Sequence, residues 1–246
     1  HNVAPQLTNV VGDTINEGQT ANVFVTIVDP GALDVFEIDV DWKDGDPIDT
    51  ITGLGLLDAS GTVGNTAYEW TAATRLLKLS HQYLDDNPTG TPSDVYHVTL
   101  VARDNAMGES EPVVANVVVN NVRPVLHVAP NQEVNEGELL DLSGVGAPPL
   151  AVFIDPGLED TFTVTVDWGD GSPLATPTIF QGVGAAALGA THTYADNGVY
   201  EVKVTVVDDD GGMDMKSFFV TVNNVPPVLV VAPDQTVNDG AVLDLS

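Results

Sequence analysis

The sequence predicts an all-β chain, organised as tandem two-sheet sandwiches set end to end. Three observations carry this expectation. Short motifs return in the same order along the chain. Apolar residues alternate with polar ones in short, β-branched runs. Gly, Pro, Asn and Asp break these runs at close intervals, where turns need them.

The repeat comes first, because it fixes the organisation. Asn2-Val3-Ala4-Pro5 returns as Asn121-Val122-Arg123-Pro124 and as Asn224-Val225-Pro226-Pro227. Asn16-Glu17-Gly18 returns as Asn135-Glu136-Gly137 and, with Asp for Glu, as Asn238-Asp239-Gly240. Asp29-Pro30-Gly31 returns as Asp155-Pro156-Gly157, each followed by a further acid, Asp34 and Asp160. Val40-Asp41-Trp42 matches Val166-Asp167-Trp168, and His81-Gln82-Tyr83 matches His192-Thr193-Tyr194. The expected division is therefore 1–121, 122–224 and the opening of a third repeat over 225–246. The Pro-containing joints are short, which favours a rod over beads on a flexible string. A chain that opens within one motif and closes part-way through another reads as a piece of something longer.

Within each repeat the strands follow from alternation. Val23, Val25 and Ile27 share one face, as do Phe162, Val164, Val166 and Trp168, and Tyr200, Val202, Val204 and Val206. The residues between Asp46 and His81 are extra to the first repeat and read as a longer hairpin or loop. Ala72 to Leu79 lacks both caps and a sustained helical period. Trp42 and Trp168 end core-facing alternations and are expected to plug the sandwich. Gly171 is expected to supply the positive φ of a tight turn. Tyr83 and Tyr194 are expected to lock a corner through their hydroxyls, with His81 and His192 packing or hydrogen-bonding beside them.

Taken together, Asp167-Trp168-Gly169-Asp170-Gly171-Ser172, His192-Thr193-Tyr194, Gly198-Val199-Tyr200 and the strand ending at Asp208-Asp209-Asp210-Gly211-Gly212 resemble a PKD domain, an immunoglobulin-like sandwich. The first repeat departs from the pattern: Lys43 replaces the first turn Gly, and Asn87 to Ser93 replaces the Gly before Tyr96. The resemblance implies tandem immunoglobulin-like, PKD-like β-sandwiches of a bacterial extracellular or surface protein. It also implies spacer or adhesion roles, with Ca²⁺ bound in some members.

Composition narrows the function. Seven Lys and Arg stand against 36 Asp and Glu, for a net charge of −29. Seven cations cannot assemble a nucleic-acid footprint or a patch for an anionic membrane. No Cys is present, which removes disulfides, thiolate metal sites and Cys nucleophiles. No apolar run approaches the ~20 residues of a membrane-spanning helix. There is no G-x-S-x-G elbow, no H-E-x-x-H and no phosphate-cradling Gly loop. The paired acids recur in every repeat, and an active site is rarely built twice along a rod, so no enzyme is expected.

The acids point to a metal. In an immunoglobulin-like sandwich the B–C and F–G loops and the incoming chain share one pole, and the A–B loop and E–F corner share the other. Asp155 and Asp160 (B–C), Asp208, Asp209 and Asp210 (F–G) and the linker residues Asn120 and Asn121 should thus converge above the second repeat, facing Glu17 of the first. Two carboxylates about 5 Å apart repel by roughly 1 kcal/mol in water and about 3 kcal/mol near a protein surface. Ca²⁺ suits such a cluster, as a hard ion taking six to eight oxygens, at about 10⁻⁴–10⁻³ M in extracellular modules. The arrangement is similar to cadherin, with Asn120-Asn121 where cadherin has an Asp-rich string. Like clusters, incomplete in this piece of chain, are expected at the top of the first repeat (Asn2, Asp29, Asp34, Asp104) and at the next joint (Glu136, Asn223, Asn224). The other reading of these residues is a set of ordinary solvated turns on an acidic, soluble surface. 

The expected function is a non-catalytic, calcium-stiffened stalk at the cell surface. Its partners would be neighbouring repeats, other copies of itself in a filament, or a surface protein or polysaccharide. The alternative is a carbohydrate-binding accessory module of a secreted hydrolase, which requires Trp70, Phe180 or Phe219 exposed together.

Overall fold

A computed structural model describes residues 2–86, 89–144, 148–182, 185–231, 236 and 238–242. Among these residues there is no helix, and hence none long and apolar enough to cross a membrane. Strands dominate because β-branched residues alternate with polar ones over runs too short for helices.

The first half holds β1 (Gln6–Val11), β2 (Thr14–Asn16), β3 (Thr20–Val28), β4 (Phe36–Asp41), β5 (Asp49–Leu54), β6 (Ala59–Val63), β7 (Thr66–Thr71), β8 (Leu76–Gln82), β9 (Ser93–Asp104) and β10 (Val113–Asn120). They form two five-stranded sheets, β1-β3-β8-β7-β6 and β2-β10-β9-β4-β5. The chain changes sheet between β1 and β2, and β2 then runs parallel to β10. In β3 the alternation puts Ala21, Val23, Val25 and Ile27 inside, facing Ile38 and Val40 of β4 and Val98 and Leu100 of β9 within one buried cluster. The extra segment after Asp46 is more than a hairpin. β5 widens one sheet beside β4, while β6 and β7 widen the other beside β8. Trp70 of β7 packs edge-on against Phe36 in the core.

The second half holds β11 (Val125–Val128), β12 (Gln132–Asn135), β13 (Leu139–Asp141), β14 (Ala151–Ile154), β15 (Thr163–Asp167), β16 (Thr178–Gly182), β17 (Ala185–Gly189), β18 (Thr191–Thr193), β19 (Gly198–Val207) and β20 (Met213–Asn223). Its sheets are β11-β14-β17-β16 and β12-β20-β19-β15, with a short β13-β18 pair alongside. The counterpart of β3 is split here. Between β13 and β14 the Leu142 N–H donates to the Ala190 carbonyl and the Leu150 N–H to the Leu142 carbonyl. A second buried cluster, from Leu126 to Val222, fills this sandwich and is separate from the first. The fold is thus all-β, as two consecutive β-sandwiches.

The recurring aromatic motifs build one device twice. Trp42 and Trp168 are buried, with His81 and His192 stacked on them at 4.8 Å. The hydroxyls of Tyr83 and Tyr194 donate to the carbonyls of Trp42 and Trp168 at 3.0 Å. Gly171 holds a φ of 82°, as its turn requires. Lys43, standing where the second sandwich has Gly169, adopts the same left-handed region at 65°.

Of 225–246, the expected opening of a third repeat, residues 232–235, 237 and 243–246 lie outside the described set. The described residues of this segment belong to no strand, and Val228, Leu229, Val230 and Val231 are exposed.

Candidate functional site at the joint between the sandwiches

A turn and a corner at the foot of the first sandwich meet two loops at the head of the second. The Asn16-Glu17-Gly18 turn between β2 and β3 is fixed by backbone bonds, from Glu17 N–H to the Asn120 carbonyl and from Gly18 N–H to the Tyr83 carbonyl. These bonds bring Glu17 beside both the outgoing linker and the corner after Tyr83. Glu17 Oε1 accepts the Val122 N–H at 2.6 Å. Across the joint, the Leu158 N–H donates to the Leu84 carbonyl at 2.9 Å. A Cβ on Gly18 would come within 2.8 Å of the Pro156 carbonyl oxygen, so the backbones here are in contact.

The loops of the second sandwich hold their acids by their own amides. Asp155 Oδ1 accepts the Gly157 N–H at 2.8 Å. Asp208 Oδ1 accepts the N–H groups of Asp210 at 3.1 Å and Gly212 at 2.6 Å, while Asn121 Nδ2 donates to Asp208 Oδ2 at 3.1 Å. Such turns are ordinary for Asp. What is not ordinary is the remainder of the cluster. Glu17 is 1 % exposed and Asp86 0 %, and Asp85, Asp160, Asp208 and Asp210 are also buried. Glu17 Oε2, both oxygens of Asp86 and of Asp160, Asp210 Oδ1, Asp155 Oδ2 and Asn121 Oδ1 meet no hydrogen-bond donor. Carboxylate oxygens gather within 4.8 Å of one another in three sets: Glu17, Asp85 and Asp160; Asp85, Asp86 and Asp210; Asp155, Asp160 and Asp208.

Burying carboxylates together, without cations, drives them toward the protonated form. Burial pushes Glu17 up to about 8, against the bond from Val122 and with the charges of Asp155, Asp86 and Asp85 adding to it. Burial, with Glu17 and Asp155 next, pushes Asp160 up to about 8. Asp155 rises to about 6, chiefly by burial, and Asp86 to about 7 by burial and the neighbouring Asp210. A divalent cation removes this frustration directly, and the donors present, carboxylates and an amide carbonyl, are hard-oxygen ligands of the kind Ca²⁺ takes.

Among the residues singled out in the sequence, Glu17, Asn121, Asp155, Asp160, Asp208 and Asp210 come together. Asp209 is exposed, and its Oδ1 accepts the Thr161 N–H at 2.9 Å, so it borders the cluster rather than entering it. Asn120 turns away into the first sandwich, where its Nδ2 donates to the Ile15 carbonyl and its Oδ1 accepts the Ser93 hydroxyl. Asp29, Asp34 and Asp104 gather at the far pole of the first sandwich, with Asn2 donating to Asp104, in the pattern of Asp155, Asp160, Asp208 and Asn121. There Arg75 caps the loop through the carbonyls of Asp29 and Gly31. Glu136 Oε1 accepts the Val225 N–H at 2.8 Å, as Glu17 does that of Val122, while Asn223 donates to Glu133. Sequence reasoning missed Asp85 and Asp86. They directly follow the corner motif ending at Tyr83, and that corner shares a pole with Glu17, so topology alone could have placed them.

The His81–Asp44 and His192–Asp170 pairs, at 2.6 and 2.8 Å, belong to the stacked Trp corners. Trp70 is buried, whereas Phe180 and Phe219 are exposed on opposite sheets of the second sandwich, so these three rings form no common strip.

Residues 121–222 match the PKD domain family. None of the curated proteins compared with the chain is similar in sequence. Two solved marsupial T cell receptor chains are similar in structure. One has 12 % identity and a TM-score of 0.35, covering 88 % of this chain and 96 % of that one. The other has 11 % identity and a TM-score of 0.34, covering 86 % and 60 %.

Proposed function

We propose that this chain is a non-catalytic, extracellular structural module, a stalk segment whose two sandwiches are braced by Ca²⁺ at their joint. The observation that carries this reading is the set of buried, donorless carboxylates contributed from both sides: Glu17 and Asp86 below, Asp160 and Asp210 above. Unpaired buried carboxylates are costly, and the seven basic residues of the chain are too few to neutralise its acids. An ion held by both sandwiches lowers the energy only of the aligned arrangement, so binding selects it from among bent ones. The working role is mechanical: a module that keeps its length and direction where Ca²⁺ is plentiful, in adhesion or in surface architecture, alone or in a filament.

Calorimetric titration with Ca²⁺, paired with small-angle scattering before and after chelation, tests the reading. Binding in the range of about 10⁻⁴–10⁻³ M and a narrower, longer distance distribution with Ca²⁺ are expected. Asp155→Asn should weaken binding and loosen the joint. Absence of binding heat, with an unchanged distance distribution, would remove the brace.

A further inference from the structure

Resting on the calcium-braced joint, we infer that it holds a row of three divalent-cation positions, of two classes: one built by the second sandwich alone, two straddling both sandwiches. Oxygens within 4.8 Å of one another have the separation of ligands on one ion, since each Ca–O contact is about 2.3–2.6 Å. The three sets of acids are not independent. Asp160 belongs to the first and third, and Asp85 to the first and second. Both oxygens of Asp160 lack a donor, so this carboxylate is able to bridge two ions, one oxygen to each.

Charge favours the row. The three sets comprise seven carboxylates, Glu17, Asp85, Asp86, Asp155, Asp160, Asp208 and Asp210. One divalent ion would leave five negative charges buried together, and three leave one. Glu17, Asp86, Asp160 and Asp210, all members of these sets, are each more than nine-tenths buried, and each carries an oxygen that meets no donor.

The two classes differ in what holds them. Asp155, Asp160 and Asp208 all come from the second sandwich, and the amides of Gly157, Asp210 and Gly212 fix Asp155 and Asp208 in place. Asn121 Oδ1, also without a donor, lies on the linker beside Asp208. The same turn geometry recurs at Asp29 and Asp104, where the Gly31 and Gly108 amides do the fixing, so each loop pair holds its acids by its own backbone. The positions at Glu17, Asp85 and Asp160 and at Asp85, Asp86 and Asp210 need both sandwiches in register. The inner position therefore fills first and organises the loops, and the straddling pair fills second and stiffens the joint.

The test uses the full chain carrying Asp104→Asn, which silences the like cluster at the far pole. Ca²⁺ is titrated by calorimetry, bound Ca²⁺ is counted by equilibrium dialysis, and scattering is recorded at each step. Two binding phases are expected, with narrowing of the distance distribution confined to the second. Asp86→Asn should remove the second phase and the narrowing while leaving the first. Glu17→Gln, on a different turn, should do the same, which guards against a folding defect in either variant. Asp208→Asn should remove the first phase. A single phase with one bound Ca²⁺ per chain, weakened alike by Asp86→Asn and Asp208→Asn, would overturn the row and leave the brace standing. No bound Ca²⁺ at all would overturn both.

Discussion

Asp160 shows what a buried acid can be made to do. Both of its oxygens lack donors, its side chain is buried, and Glu17 and Asp155 stand beside it. Without metal, the cheapest change is to remove its charge. Asp160→Asn keeps the shape, supplies donors to Glu17 and Asp155, and should raise metal-free stability by about 1–3 kcal/mol, read from urea unfolding in chelator. In millimolar Ca²⁺ the same substitution should lower stability relative to the native chain, because the bridging ligand is gone. A substitution whose effect changes sign with Ca²⁺ marks a ligand. One that destabilises alike in both conditions marks packing, and for Asp160 that outcome would contradict the site.

At the scale of elements, one turn occurs in two settings. Gly18 and Gly137 both sit at positive φ, 72° and 78°, and both donate their N–H to the carbonyl of a corner Tyr. An added Cβ strains either turn by about 1–2 kcal/mol. At Gly137 it meets nothing within 4 Å, whereas at Gly18 it meets the Pro156 carbonyl of the other sandwich. Gly137→Ala should therefore cost only the turn strain in thermal unfolding. Gly18→Ala should in addition broaden the scattering distance distribution, since relief comes only by parting the sandwiches. The elements also show where sequence is legible. The alternation of Val202, Val204 and Val206, the Trp corners and the convergence of Asp155, Asp160 and Asp208 with Glu17 follow from period and loop topology, because alternation sets the strand faces and the sandwich sets which loops share a pole. The split of the second sandwich's strand into β13 and β14 does not, because it depends on a backbone bond from Leu142 to Ala190 that no local pattern encodes. Nor does the division of the extra segment of the first sandwich between two sheets, since strands β5 and β6 choose their neighbours by packing. Asn120 misleads for a similar reason: its position suits a ligand, but Ile15 and Ser93 satisfy its amide first.

For the whole molecule, proton and metal compete for one set of oxygens. Glu17 and Asp160 titrate near 8, Asp86 near 7 and Asp155 near 6 in the folded chain, against ordinary values near 4 when unfolded. Folded values raised above unfolded ones mean that the folded state binds protons more tightly. This contribution is fully present below about pH 4 and is lost as pH rises through the folded values toward about 8. In chelator, the cluster's share of stability should thus decline from about pH 4 to 8. With Ca²⁺ the sign reverses, since ionised oxygens are the ligands and rising pH frees them for the metal. The gap between melting temperatures with and without Ca²⁺ should widen steadily across that window. Calorimetric Ca²⁺ titrations near pH 7, in buffers of different ionisation enthalpy, should also reveal proton release. A gap independent of pH, with no proton released, would mean that the metal acts elsewhere than on these acids.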